Sequence, residues 1–350
     1  MSAEATQIIP QTSPTTRFRG PIWTLLVLAP VIAEVLSGST RISFIFVLIP
    51  EIMVWGGGAL LSRELVRRWS AGAVSLLLLG FALSIAEEFI IQQTSLAPLP
   101  FPGANASYGR LWGVNWVYFL FMLAYESVWV VLVPVQVTEL LFPARRDQPW
   151  LRRRGIIATC IAFVVGSFMA WYGWTQQARP RLGAAPYQPP IIAIAIGLAA
   201  IALLIVVAYL FRTLGHPGRA TTQRPPNPWL IGTIALILST GWWYLMTFIF
   251  GPFPSHAAWF PLAAGVAWSL VAFTLVHHWS AAGEWNDRHR CALSFGAILS
   301  CMLPSYVTTA GWLPMDLVGK IILNVLALVG LILLARTIWR HNSAPAAPVV

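Results

Sequence analysis

Residues 80–95 read GFALSIAEEFIIQQTS. The apolar run that contains them spans about 71–93, long enough to cross a bilayer core of about 30 Å as a helix. Inside that helix stand two adjacent glutamates, Glu87 and Glu88. An ionisable side chain near the bilayer centre costs at least about 2.5–3.5 kcal/mol on insertion scales. Two neighbouring carboxylates in one span therefore call for a shared physical reason, which the rest of the chain has to supply.

Similar runs recur along the chain, at about 21–37, 43–62, 112–140, 155–174, 190–211, 229–250, 257–278, 292–310 and 315–335. Composition agrees with them. Of 350 residues 57% are hydrophobic and 10% charged, against about 25% charged in an ordinary soluble domain. The expected fold is all-α, a polytopic transmembrane bundle of about ten spans. The run at 112–140 is long enough for a tilted helix, or for one that continues along the membrane surface.

The arginines orient the bundle. With a cytoplasmic N-terminus, seventeen arginines fall in inside loops or at inside helix ends, and four, Arg41, Arg110, Arg179 and Arg181, fall outside. That is the bias of the positive-inside rule, with both termini cytoplasmic in a plasma or inner membrane. The net charge of +10 is mostly this topology. The runs Ser62–Trp69 (SRELVRRW) and Ala144–Gly155 (ARRDQPWLRRRG) are also candidates for anionic lipid headgroups. A nucleic-acid surface is not expected, because these are short loop clusters with no soluble domain behind them. The first span reads as a retained helix rather than a cleaved signal peptide.

Four segments follow: a tail at 1–20, a four-helix acidic unit at 21–140, six further helices at 141–341 and a tail at 342–350. The connection Thr213–Pro228, with Pro217, Pro225 and Pro226, resembles a flexible linker between six spans and four. No internal repeat is visible. The sequon at Asn105 reads as chance, and the three cysteines form no disulfide or zinc pattern.

Of the twelve acidic residues, five lie well inside spans: Glu34, Glu51, Glu87, Glu88 and Glu126. All belong to the first four helices. At about 1.5 Å per residue, Glu51 lies about 12 Å down its helix and Glu126 about 20 Å below the outer start of its own. All five thus occupy the outer half or the middle of the membrane. Ser84, Glu88 and Gln92 are spaced i, i+4, i+8, and Asn115, Tyr118, Met122, Glu126 and Trp129 follow helical spacing on the fourth span. Gly56-Gly57-Gly58, just after Glu51 and Trp55, permits close helix approach. The expectation is a polar cavity among helices one to four, opening outward. Carboxylates so close cannot all ionise, so they share protons or hold a cation.

Other groups stand around this centre. Lys320, the only lysine, pairs either with Asp316 on its own helix or with the glutamates. Arg110 caps the outer side. His277 and His278 lie at the inner interface and His256 at the outer rim, a weak pattern for zinc. The metal and the cofactor stay unknown. Many tryptophans mark the interfaces, and Trp242, Trp243 and Tyr244 read as core packing.

The Glu87-Glu88 pair within a helix resembles the first motif of the CPBP (Abi, CAAX-protease-like) intramembrane protease family. The family has an arginine four residues after the second glutamate, where this chain has Gln92. The resemblance implies an intramembrane hydrolase in which Glu87 or Glu88 activates a water, with Glu126 standing where a later histidine is expected. Two other readings stay open. One is a proton- or cation-coupled transporter, for which Pro30, Pro50, Pro134 and Pro304 supply helix breaks. The other is a non-catalytic subunit whose glutamates form a buried network.

Overall fold

The computed structural model describes residues 19–98, 100, 107–213, 224–249, 257–307 and 312–341. Asn105, Pro217, His256, residues 1–18 and residues 342–350 lie outside the described residues.

The chain is an all-α polytopic bundle. Its helices are α1 (Gly20–Val35), α2 (Ile42–Arg68), α3 (Ala73–Ile91), α4 (Trp116–Leu141), α5 (Arg153–Arg181), α6 (Ile191–Leu210), α7 (Pro228–Met246) and α8 (Trp259–Ser280), followed by α9 (Asp287–Met302) and α10 (Pro314–Arg340). Eight of these are long and apolar enough to cross a membrane, α1 is a shorter apolar helix, and α9 is charged in its first turn. The only extended pairing among the described residues is a two-residue hairpin, β1 (Arg110–Leu111) with β2 (Val114–Asn115).

Capping fixes several starts. Asn115 accepts from the Tyr118 amide, so α4 begins at Trp116 rather than near residue 112. The residues before it form the hairpin. Asn286 caps α9 through the Arg288 amide, which starts this helix five residues earlier than hydropathy alone places it. At its other end Pro304 opens a separate 3₁₀ turn, Pro304–Tyr306, because its ring has no N–H to continue the ladder. The ninth run therefore ends as a helix at Met302.

Burial divides the helices into a centre and a periphery. The apolar window of α3 is 61% buried, whereas those of α5, α6 and α8 are 11% buried. Those three offer large apolar side chains such as Val164, Ile191 and Leu270 outward, as lipid-facing helices do. The centre is α1 to α4, with α7 and α9 packed against it. Three consecutive glycines show how tightly α2 is held. A side chain on Gly56 would collide with the Leu26 carbonyl of α1, and one on Gly58 would come within 2.6 Å of Leu83 on α3. Gly57 faces Phe163 of α5. The triplet thus lets one helix touch three neighbours on successive faces.

The ladders of α1 to α4 are not uniform. Each contains a π-helical turn, at Val31–Val35, Ile52–Gly56, Glu87–Ile91 and Glu126–Leu132. The Gln92 amide, for instance, donates to the Glu87 carbonyl five residues back at 2.9 Å. Such turns insert one residue and re-aim the side chains that follow. Pro30, Pro50 and Pro134 each border one of them, which fits the loss of an amide from the ladder.

Candidate functional site: a buried carboxylate cluster

The π-turns carry the acids. Glu34 lies within the turn of α1, and Glu51 directly precedes that of α2. Glu87 and Glu88 open the turn of α3, and Glu126 opens that of α4. Glu51, Glu87, Glu88 and Glu126 are 0–2% exposed, and Glu34 is partly buried. Glu87 lies within electrostatic reach of Glu88, Glu34 and Glu51, and Glu126 within reach of Glu88, Glu87 and Glu34.

Their hydrogen bonding divides them. Glu88 is fully engaged, accepting from Thr94 Oγ1 on both oxygens at 2.8 Å and from Ser95 Oγ at 2.5 Å. Both hydroxyls come from the turn that ends its own helix, where Gln93 adopts φ +61. Glu34 accepts from Tyr125 Oη at 2.9 Å, and the same hydroxyl reaches the Ala33 carbonyl at 2.6 Å. Glu51 accepts from Thr40 Oγ1 on one oxygen and leaves the other without a partner. Glu87 and Glu126 differ from all of these. Neither has a hydrogen-bond partner on either oxygen among the described residues. Ser84 lies beside Glu126, close to it but outside hydrogen-bonding geometry.

Helix packing brings these groups together. Gly80 of α3 sits against α4, where an added side chain would come within 2.9 Å of Ser127 Cα, one residue from Glu126. Tyr125, Trp129 and Phe121 of α4 pack edge-on against Trp243 of α7 at centroid separations of 5.3–5.6 Å, forming an aromatic wall beside the acids. Trp242 and Trp243 are core residues, while Tyr244 is exposed.

The remaining sequence candidates fall elsewhere. Gln92 is half-buried past the π-turn, and Asn115 is a helix cap rather than part of a polar stripe. Arg110 donates to the carbonyls of Leu96 at 2.7 Å, Gly113 at 2.8 Å and Ala97 at 2.5 Å, so it braces the segment before α4. Partial burial lowers the Arg110 guanidinium from its ordinary range, while Tyr187 pulls the other way. Lys320 reaches neither Asp316 nor the acids but donates to the Leu36 carbonyl at 2.7 Å. Asp316 accepts from Ser43 instead. Thr40, Thr94, Ser95 and Tyr125 were not singled out by sequence. Thr94 and Ser95 end the quoted stretch itself, within seven residues of Glu88.

The acids are enclosed, and neither of the two clefts described at the surface is lined by them. The close packing of α1 to α4 leaves Glu51, Glu87, Glu88 and Glu126 0–2% exposed. Among the described residues no group of three or more histidine, cysteine or acidic side chains is arranged to hold a metal ion.

At the opposite ends of α2 and α4 the acids meet bases. Glu139 pairs with Arg63 Nε at 3.1 Å and Arg67 Nη2 at 2.6 Å, and Glu64 pairs with Arg68 at 2.8 Å. Arg63 is fully buried, lies 3.4 Å from the centre of the Trp150 ring and donates to the carbonyls of Gln148 and Arg146. It holds the loop between α4 and α5 rather than facing lipid.

A bundle of apolar helices around a buried acidic centre defines an integral membrane protein. The chain belongs to an uncharacterized membrane protein family, whose profile matches residues 24–344. No curated protein and no solved structure matches it.

Proposed function

We propose that the protein is a proton-coupled carrier in which Glu87 and Glu126 take up and release protons, or a cation in their place. The observation that supports this most strongly is the pair's condition: two acids, enclosed, beside three others, with no hydrogen bond to any of their four oxygens. A carboxylate left so in a low-dielectric interior is costly, and a bound proton or cation removes that cost. The π-turns under both residues are the places where a helix changes ladder most readily, which suits a centre that gains partners in a second conformation.

The hydrolytic alternative needs a carboxylate free to activate water. Glu88 already accepts from two hydroxyls, and although Glu87 is free, its burial and that of Glu88 and Glu126 at 0–1% exposure offer a peptide no approach. In this reading both termini are cytoplasmic and the acids lie toward the outer side. The exposed arginines Arg152, Arg153 and Arg154 then meet anionic headgroups of a plasma or inner membrane.

Infrared difference spectroscopy of the protein in lipid nanodiscs tests this. A protonated-carboxyl band should titrate with bulk pH and lose a component in Glu87→Gln and in Glu126→Gln. A carboxyl region indifferent to pH overturns the proposal.

A further inference from the structure

At the ends of α2 and α4 opposite to the acid cluster, arginines outnumber the carboxylates they meet. Arg63 and Arg67 of α2 both contact Glu139 Oε1, at 3.1 and 2.6 Å. Arg146, in the loop after α4, donates to Asp287 Oδ2 at 2.8 Å, and Arg290 stands 3.9 Å from Oδ1 of the same carboxyl. The two halves form one network. Arg290 lies within electrostatic reach of Arg146, Arg67 and Glu139, and the Arg146 carbonyl accepts from Arg63 at 2.6 Å. Gln136 of α4 fixes α9 here, since its amide donates to the Arg290 carbonyl at 2.8 Å and to Ser294 Oγ at 2.9 Å.

Four guanidinia thus share two carboxylates, which leaves an excess of two positive charges. Glu64, which lies near Arg63, does not reduce it, because Arg68 pairs with Glu64 at 2.8 Å. Asp147, in the same loop, is exposed and joins no ion pair among the described residues. Arg290 is the least satisfied of the four. Its contact with Asp287 is too long for a hydrogen bond, and its guanidinium makes none among the described residues. A guanidinium carries five N–H donors in a fixed fork that matches two oxygens of a phosphate. The side chains of Arg290, Arg67 and Arg146 keep 35%, 22% and 18% exposure, so a ligand at the surface reaches them, whereas the buried Arg63 is closed to it.

Position points to the source of such a ligand. Helices α2 and α4 are long and apolar enough to cross a membrane, and the network stands at their common end. That is the level of lipid headgroups, where a basic site between helices meets anionic phosphates. We propose that Arg290, with Arg67 and Arg146, binds the phosphate group of an anionic lipid headgroup. The site stands independently of the proton-carrier reading. It also differs from a general attraction by exposed arginines, since α2, α9 and the loop after α4 each supply one member.

Titration of the full-length protein in a neutral detergent with dioctanoyl phosphatidylglycerol, at constant ionic strength and read by microscale thermophoresis, tests the proposal. Binding should be saturable and should weaken about tenfold in Arg290→Gln, through loss of one charge-assisted hydrogen bond. Arg290→Lys keeps the charge but not the fork, and should lose about threefold. Arg153→Gln, an exposed arginine in the first turn of α5, should bind as the parent does. Equal weakening in Arg153→Gln overturns the proposal, because it marks diffuse attraction rather than a site. Absence of saturable binding, equal affinity for dioctanoyl phosphatidylcholine, or displacement by equimolar inorganic phosphate overturns it as well. Where Arg290→Gln fails to fold, Arg290→Lys decides, and an affinity equal to the parent's overturns the proposal.

Discussion

Two pairs of glutamates sit on the same two helices. Helix α2 carries Glu51 and Glu64, and α4 carries Glu126 and Glu139, each pair thirteen residues and about 20 Å apart. At one end, Glu64 accepts from Arg68 and from the amides of Trp150 and Leu151, and Glu139 accepts from Arg63 and Arg67. At the other end no base pairs with the acids among the described residues. Glu51 has one hydroxyl and Glu126 nothing. Burial is nearly the same at both ends, so burial does not separate them; the presence of a counter-charge does. Glu64 and Glu139 act as staples between helices and loop, whereas one oxygen of Glu51 and both of Glu126 stay uncommitted among the described residues.

Substitutions at the two ends can break this contrast. The largest effect is expected from Arg63→Met, which strips Glu139 of one buried partner and leaves loop carbonyls unbonded. Removing one member of a buried pair costs about 3–5 kcal/mol, seen as a large fall in thermal midpoint in nanodiscs. Gly80→Ala comes next. Its new methyl meets Ser127, and overpacking of this kind costs about 1–3 kcal/mol. The same variant should perturb the carboxyl infrared band, because it moves Glu126 relative to α3. Arg68→Ala leaves the buried Glu64 with only the Trp150 and Leu151 amides and should cost about 1–3 kcal/mol in thermal or denaturant unfolding. The smallest stability change belongs to Glu87→Gln, which loses no hydrogen bond and is expected within about 0.5 kcal/mol of the parent. Its effect should appear in proton titration alone. Should Glu87→Gln unfold the protein as Arg63→Met does, the clustered acids are staples too, and the contrast disappears.

Much of the centre was legible in advance. The five acids were marked by depth and residue type, and on four helices they lie within electrostatic reach of one another, as expected where an apolar run tolerates a carboxyl only near other polar groups. The glycine triplet after Glu51 was legible as a close contact, though not that it serves three helices at once. Other features were not readable. The i, i+4, i+8 spacing of Ser84, Glu88 and Gln92 assumes an unbroken ladder, and the π-turn at Glu87 ends that assumption. Ser84 accordingly lies beside Glu126, while Glu88 turns to Thr94 and Ser95. Prolines at 30, 50 and 134 hinted at irregular ladders near the acids but did not say which residue would be re-aimed. The partner of Lys320 was equally hidden. Asp316 was the obvious choice by spacing, yet Ser43, distant in sequence, had already taken it.

The order of apolar runs determined that the chain is a membrane-spanning helical bundle, since hydrophobic length is a local property that each segment carries by itself. The residue types alone also determined that its first four spans hold something costly. Which acids are bonded and which stand open was decided only by the packed bundle. A hydrogen bond depends on ångström-scale placement of groups from separate helices, and one inserted residue in a ladder is enough to redirect it.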